Sequence, residues 1–549
     1  MLEGCTPYPA EVAARYRREG HWLGLTLGQV LDQMAAEHGE REALSYGQRR
    51  YTFAQVQQAA DHLAYHFAKL GLKPLDRVVM QLPNIPEFVF AFFALQKIGV
   101  IPVMALRPHR HNEIRHFLGH SGARGYLIPD QIRDFDYRQM AAEMQAENPN
   151  LEHVIVAGEA GPGQVSIAEL LARPLGDDAE ALLSARRPDA GEVALMLLSG
   201  GTTALPKLIP RSHEDYLCCF RSCSVVAEIG PRTVYLALLP MGHNYTLASP
   251  GVLGALWHGG RVVLAPEIDP ATVFGLIESE GVTMTSTAVP VVTGWLKSGI
   301  AGNYDLSTLK VLQNGGARLQ PELRRQVRDL VGCHFQETYG TAEGLINMVP
   351  LDAEEEYVLE SSGAPAGPAD EIKVVDGQGN EVADGQSGEL LTRGPYTIRG
   401  YYNNAQADAS AFEPDGFYHM GDVVRRKGRY VYTEGRKKDL INRGGEKISC
   451  DEIENLILGN PKVENAILVA MPDETYGEKA CAFVILKAGQ GMDLAELVEF
   501  LMQKQIAKFK LPERLEVVES YPVSPAGKIM RRLLREQIAE TVEQERAAS

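Results

Sequence analysis

The sequence predicts an α/β protein of parallel sheets covered by helices, followed by a small antiparallel β unit and a separate α+β domain at the carboxyl end. Three observations carry this. Between about Tyr51 and Pro266, short apolar runs (RVVMQL, VIPVMAL, GYLIP, HVIVAG, VALMLL, YLALLP, RVVLAP) alternate with helical patterns, the signature of buried parallel strands with helices on both faces. From about Gly363 to Tyr432 the pattern changes to short strands broken by Asp-Gly and Gly-Asn turns, as in EIKVVDGQGNEVADGQSGELLTRG, which predicts antiparallel pairing. The chain of 549 residues also exceeds one ordinary domain.

The elements follow in order. The opening MLEGCTPYPAEVAARYRREG has no apolar stretch behind a basic start, so no secretory signal is expected. The most apolar segment, Phe88 to Leu106, is interrupted by Gln96, Lys97 and Pro102; it is too short to span a bilayer and predicts a buried helix, a break at Gly99, then a buried strand. A further α/β stretch runs from Val282 to Leu345. Beyond GRKKD at Gly435 to Asp439 come a helix around Asp451 to Leu458, strands ENAILVAM and ACAFVILK, a helix around Leu494 to Ile506, and the strand RLEVVE. These set a boundary near Glu434, giving a large unit of residues 1–434, with its β region at about 363–432, and a domain of residues 435–549.

Charge and cysteine content exclude several functions. A net charge of -17 disfavours nucleic acid and anionic membrane as partners, since both need a surplus of Lys and Arg. The seven cysteines show no paired CxxC spacing and read as reduced thiols of a cytoplasmic protein.

The stretch LSGGTTALPKLIPRSHEDY, Leu198 to Tyr216, combines glycines, hydroxyls and a lysine. A Walker loop needs Ser or Thr directly after its lysine and a helix beyond it. Here Leu208 follows Lys207, and KLIP reads as a strand. Ser199, Thr202 and Thr203, with the Gly200 and Gly201 amides, can wrap polyphosphate oxygens while Lys207 supplies charge; an ordinary Gly-Thr turn is the alternative.

Six further segments occur in a fixed order: NGGARL (Asn314 to Leu319), YGTAEG (Tyr339 to Gly344), GELLTRGPYTIRGYY (Gly388 to Tyr402), GFYHMGD (Gly416 to Asp422), GRKKDLINRGGEKI (Gly435 to Ile448) and PVSPAGKIMRR (Pro522 to Arg532). With the loop, they resemble the motifs of the adenylate-forming superfamily over nearly the whole chain. The resemblance implies ATP and Mg2+ as cofactors, a β unit forming a small distorted barrel, and a mobile carboxyl-terminal domain. It further implies Glu343 as the magnesium ligand, Gly315, Gly316, Ala317 and Tyr339 around the adenine, and Gly340 and Thr341 among the nucleotide-binding residues. Asp422 and Arg436 would hold the ribose, Lys438 would be the hinge within 436–438, and Lys528 would reach the substrate carboxylate and α-phosphate. Reorientation would withdraw Lys528 and bring up Gly445 and Lys447. One departure is Ala204, where the family has glycine, so loop mobility is expected to differ.

MGHNYTLASPG, Met241 to Gly251, is similar to the subgroup of stand-alone aryl-acid AMP ligases that activate 2,3-dihydroxybenzoate or salicylate for siderophore assembly. There Asn244 would bond an ortho-hydroxyl, Tyr245 would lie beside the ring, and Ser249 would meet a 3-hydroxyl. Relatives activating amino acids have an acid at the Asn244 position, to pair with an ammonium, so the neutral amide favours a substrate without one. Gln313, Gly315, Ala342 and Asn347 fit the same pattern. His243 alone reads as readily as a turn histidine. Thr338 and Ile346 are less regular, Ile346 crowding the ring's far edge. A lost hydrogen bond discriminates more than one methylene, which ranks 2,3-dihydroxybenzoate first, salicylate second and a hydroxylated heteroaryl acid third. The expected acceptor is the phosphopantetheine thiol of a separate aryl carrier protein. A benzoate-type CoA ligase and an inactive scaffold of the same fold are the alternatives.

Overall fold

The computed structural model describes residues 1–199, 206–319, 321–436, 440–443, 446–473, 476–504, 506, 508–523 and 529–548. Gly200, Gly201, Thr202, Thr203, Ala204, Lys438, Gly445 and Lys528 lie outside the described residues, as do the side chains of Arg436 and Lys447.

Within these residues the chain divides into two compact units. The first takes in the chain up to Ile372 together with Thr392–His419; the second takes in Lys373–Leu391 and Met420–Ser549.

Two large sheets build the first unit. One orders its described strands as Leu208–Ser212, Val193–Leu198, Ile101–Met104, Arg77–Met80, Gly125–Pro129, His153–Ala157 and Val165–Ser166. All its pairings are parallel except the first, where Val193–Leu198 and Leu208–Ser212 run antiparallel on either side of the Gly-Thr loop. The other is parallel through His334–Thr341, Val311–Asn314, Met284–Thr287, Val234–Ala237, Arg261–Leu264 and Glu42–Tyr46. Antiparallel strands close its edges: Gly344–Met348 and Ala364–Pro365 at one, Arg49–Thr52 at the other.

Local chemistry explains the helix limits. The apolar helix Pro86–Lys97 starts with proline, whose missing N–H costs nothing in a first turn, and stops before Gly99 at φ +67°. Buried on nearly every side, it is a core helix. No helix among the described residues is long and apolar enough to cross a membrane. Directly after the loop strand, Ser212 and Asp215 form a reciprocal capping box that starts the helix His213–Val226.

The second unit holds most of a sheet of Glu371–Val375, Ser387–Arg393, Tyr418–Lys427 and Tyr430–Arg436, whose last two strands pair antiparallel, as the turn-rich stretch predicts. It also holds a sheet in which Val463–Asp473 and Gly477–Leu486 form a long antiparallel pair, and Arg514–Val517 adds in parallel. Helices Cys450–Leu458 and Leu494–Met502 bury Ile453, Ile457, Leu497 and Leu501 against Leu468, Ala482 and Val484. Ile467, Val469 and Phe483 alternate with these along the strands and meet Leu534 and Ile538 of the helix Arg531–Ala548. The period of two thus gives this sheet a covered face on each side.

Candidate active site

Parallel α/β sheets bind ligands at the carboxyl ends of their strands. Several predicted residues of the first unit, among them Asn244, Gly315 and Glu343, follow strands of the larger sheet, whereas Ser199 and Lys207 flank strands of the other. A surface depression of about 840 Å³ lined by Arg328, Asp329, Cys333 and His334 lies near the opposite ends and contains none of them.

A buried polar chain crosses four adjacent strands below the site. Tyr235 Oη donates to Ser286 Oγ (2.9 Å), Ser286 Oγ to Gln313 Oε1 (2.7 Å), Gln313 Nε2 to Gln336 Oε1 (2.8 Å), and Gln336 Nε2 to the Val349 carbonyl (2.8 Å). Each donor finds an acceptor, so the chain adds rigidity without an unpaired group. It fixes Gln313, one of the predicted substrate residues.

Above it, pairing stops. Tyr245 Oη, Thr338 Oγ1, Asn244 Oδ1 and both amide atoms of Asn347 are buried with no hydrogen-bond partner. Tyr245, Thr338, Asn244 and Asn347 are 8%, 5%, 5% and 0% exposed. Burial pushes the Tyr245 phenol well above its ordinary range; the Ser286 and Thr338 hydroxyls stand close enough to oppose this, although neither completes a hydrogen bond to it. Asn244 Nδ2 reaches Ser249 Oγ at 3.4 Å. Ser249 itself is fully buried.

Two glycines make room. A Cβ on Gly315 would lie 2.6 Å from Tyr245 Cζ, so only glycine lets the phenol ring lie on the Asn314–Gly315 backbone. Gly251, at φ +58°, turns the chain where a Cβ would stand 2.0 Å from the Thr246 carbonyl oxygen. His243 is exposed and its Nδ1 accepts from the Tyr245 amide at 3.2 Å, capping the helix Asn244–Ala248. Ile346 pairs across the strands with Gly340, and the missing Cβ there leaves room for its side chain.

The NGGARL turn is held from beneath. Asn314 Nδ2 donates to the Ala317 carbonyl at 2.9 Å and lies 3.2 Å from the carboxylate of Glu337, which faces Arg324 at 3.3 Å. Gly316 and Ala317 are exposed and Tyr339 is half-buried. Burial raises the Glu337 carboxyl, with the Arg324 charge acting against it.

The two strands flanking the Gly-Thr segment are tied together where they meet it. Ser199 and Lys207 close the hairpin: the Ser199 amide donates to the Lys207 carbonyl (3.0 Å), and the Lys207 amide to Ser199 Oγ (2.9 Å). Glu343 is 7% exposed and accepts from Tyr401 Oη at 2.9 Å. Lys207 Nζ stands 3.7 Å from the centroid of the same Tyr401 ring. Arg211, fully buried and paired with Asp215 at 2.7 Å, donates to the carbonyls of Ala342 (2.9 Å) and Tyr396 (3.1 Å). It thus fixes the backbone beside Glu343 and the segment leading to Tyr401.

Of the sequence-nominated residues in the first unit, Asn244, Tyr245, Ser249, Gly315 and Thr338 form one cluster, and Lys207 and Glu343 meet through Tyr401. Thr341 joins neither, its Oγ1 reaching only the Gly344 carbonyl at 3.3 Å. Asp422 belongs to the second unit; it is 3% exposed, in register with Arg436 on adjacent strands. Sequence reasoning missed Tyr401, Arg211, Ser286 and Glu337. Tyr401 and Arg211 lie inside quoted motifs, where a tyrosine or arginine has no chemistry readable from spacing; Ser286 and Glu337 carry no motif.

The chain that carries this buried, unpaired polar cluster and the strand-flanked Gly-Thr segment belongs to the AMP-binding enzyme family, whose model matches residues 31–402. The family's carboxyl-terminal domain matches residues 452–528. The protein is an adenylate-forming ligase. It is 44% identical over 543 residues to the 2,3-dihydroxybenzoate-AMP ligase of Bacillus subtilis, covering 98% of each chain. It is 40% identical over 544 residues to the salicyl-AMP ligase / salicyl-S-ArCP synthetase of Mycobacterium tuberculosis, covering 98% of this chain and 95% of that one. Among solved structures, apo MbtA of Mycobacterium smegmatis superposes with a TM-score of 0.75 at 38% identity, over 97% of this chain and 99% of that one.

Proposed function

We propose that the protein activates an aryl acid, 2,3-dihydroxybenzoate before salicylate, by adenylation with ATP, and passes the acyl group to the phosphopantetheine thiol of a separate carrier protein. The observation that carries the substrate reading is the set of buried, unpaired polar atoms on Asn244, Tyr245, Thr338 and Asn347. Leaving such atoms without partners costs roughly 1–3 kcal/mol each, a cost that a flat ligand rich in hydroxyls relieves. Asn244 Nδ2 and Ser249 Oγ, 3.4 Å apart, suit two adjacent ring hydroxyls.

In the reaction a carboxylate oxygen bonds to the α-phosphorus, the bond from that phosphorus to the β-bridging oxygen breaks, and pyrophosphate leaves. Lys207, at the neck of the loop, is assigned to the departing phosphates. Lys528 is assigned to the attacking carboxylate, and Asp422 and Arg436 to the ribose. Glu343 suits Mg2+: a single buried carboxylate fits a hard cation that arrives coordinated by phosphate oxygens and water. No group of three or more His, Cys, Asp or Glu side chains among the described residues forms a dedicated cage. The ion, when bound, would neutralise phosphate charge in the transition state.

Exchange of labelled pyrophosphate into ATP, driven by 2,3-dihydroxybenzoate, salicylate, benzoate and 3-hydroxypicolinate in turn, tests this. The expected order of specificity constants is 2,3-dihydroxybenzoate, salicylate, then the others. Exchange with none of them overturns the aryl-acid reading. Thioester formation on free CoA with no acylation of a carrier protein overturns the acceptor.

A further inference from the structure

Glu343 and Lys207 meet on one side chain, Tyr401, in two chemically distinct ways. The Tyr401 hydroxyl donates to Glu343 Oε1 at 2.9 Å, and the face of its ring lies 3.7 Å from Lys207 Nζ. Tyr401 is 2% exposed. Its backbone amide donates to Asp408 Oδ1 at 2.8 Å, and its hydroxyl lies 3.3 Å from that of Tyr418. The segment before it is tied down by Arg211 at the Tyr396 carbonyl, by Tyr8 Oη at the Thr397 carbonyl (2.6 Å) and by Trp22 Nε1 at the Pro395 carbonyl (2.8 Å). The ring is therefore a fixed reference, whereas a lysine stem carries about 2 kcal/mol of rotamer entropy.

We propose that Tyr401 is a positioning residue for both groups: its hydroxyl aims the Glu343 carboxylate at a divalent cation carried in on the nucleotide, and its ring holds the Lys207 ammonium in line with the phosphates. The proposal rests on the roles given above to Glu343 and Lys207. Partners that orient a metal ligand typically change metal affinity 10- to 100-fold, and a cation held over a desolvated ring is worth up to about 2 kcal/mol.

The two functions separate by substitution. Tyr401→Phe keeps the ring and loses the hydroxyl; Tyr401→Leu loses both. Equilibrium ATP binding, measured by calorimetry with Mg2+ and with EDTA on the full chain, reads each one. Tyr401→Phe should lose about tenfold of the affinity gained from Mg2+ and bind Mg2+-free ATP as the wild type does. Tyr401→Leu should in addition bind Mg2+-free ATP about tenfold more weakly. Glu343→Gln and Lys207→Ala run as references for the two effects. If Glu343→Gln loses the Mg2+ gain while Tyr401→Phe keeps it, the hydroxyl's role is overturned. If Tyr401→Leu matches Tyr401→Phe without Mg2+, the ring's role is overturned. A Tyr401→Phe protein weakened equally in both conditions would make the residue merely structural. Should Glu343→Gln and Lys207→Ala leave both affinities at wild-type values, the roles of those two groups fail first, and this proposal with them.

Discussion

At the scale of the residue, the proposed function puts substrate selectivity in the hydrogen bonds left open among the buried side chains. Ser249 is fully buried, with Asn244 Nδ2 at 3.4 Å as a weak neighbour. Removing its hydroxyl leaves a substrate 3-hydroxyl without a partner but changes nothing for a ligand lacking that group. Ser249→Ala should therefore lower kcat/KM for 2,3-dihydroxybenzoate about tenfold or more and leave salicylate nearly untouched. Equal losses on both acids in pyrophosphate exchange would remove Ser249 from the ring-contacting set. What was legible in MGHNYTLASPG is the chemistry of a neutral amide at Asn244 and a hydroxyl at Ser249; their contact with a substrate belongs to the proposed function. The His243 side chain was not legible, since a histidine that caps a five-residue helix reads in sequence like one that faces a ligand. Nor was Ser286: it gains its meaning only by standing between Tyr235 and Gln313 on neighbouring strands, a relation set by strand order.

At the scale of the element, the paired strands Val193–Leu198 and Leu208–Ser212 and the segment 395–402 are tied to one another. Their shared anchor is Arg211, at 0% exposure, whose partner Asp215 also caps the next helix. Arg211→Met strands the Asp215 carboxylate in the interior and should cost about 3–5 kcal/mol of stability, read as a fall in denaturation midpoint; loss below 1 kcal/mol would mean that water reaches Asp215. The same region holds a pH-dependent pair. Asp370 accepts from Tyr396 Oη and from the Gly367 amide, yet burial raises its carboxyl from 3.8 to about 7. A group with a raised folded pKa contributes its full stability below its unfolded value, here about 4, and loses that contribution as pH rises through 7. Wild-type stability should therefore fall between about pH 4 and 7, by up to about 4 kcal/mol over that whole span, and Asp370→Asn should flatten the profile. Parallel wild-type and variant melting curves against pH would contradict this. The alternating strands and helices that frame these groups were readable from apolar period and turn residues. The Arg211 contacts were not, because they join residues 131 and 185 positions apart.

At the scale of the molecule, a -17 chain that handles anions must do so with local cations, and those assigned here, Lys207 and Lys528, lie far apart in sequence. Lys528→Ala should greatly lower adenylation yet spare thioester transfer from supplied aryl adenylate; equal loss in both steps would contradict its assignment. The order of the seven motifs made the family legible from end to end, as the match over 31–402 and 452–528 bears out. The central claim is that a carboxylate oxygen attacks the α-phosphorus. The most direct measurement incubates the enzyme with ATP, carrier protein and 2,3-dihydroxybenzoate carrying 18O in its carboxylate, then weighs the products by mass spectrometry. The expected products are AMP bearing one 18O and unlabelled pyrophosphate; label in pyrophosphate, or ADP in place of AMP, would rule out attack by the carboxylate on the α-phosphorus.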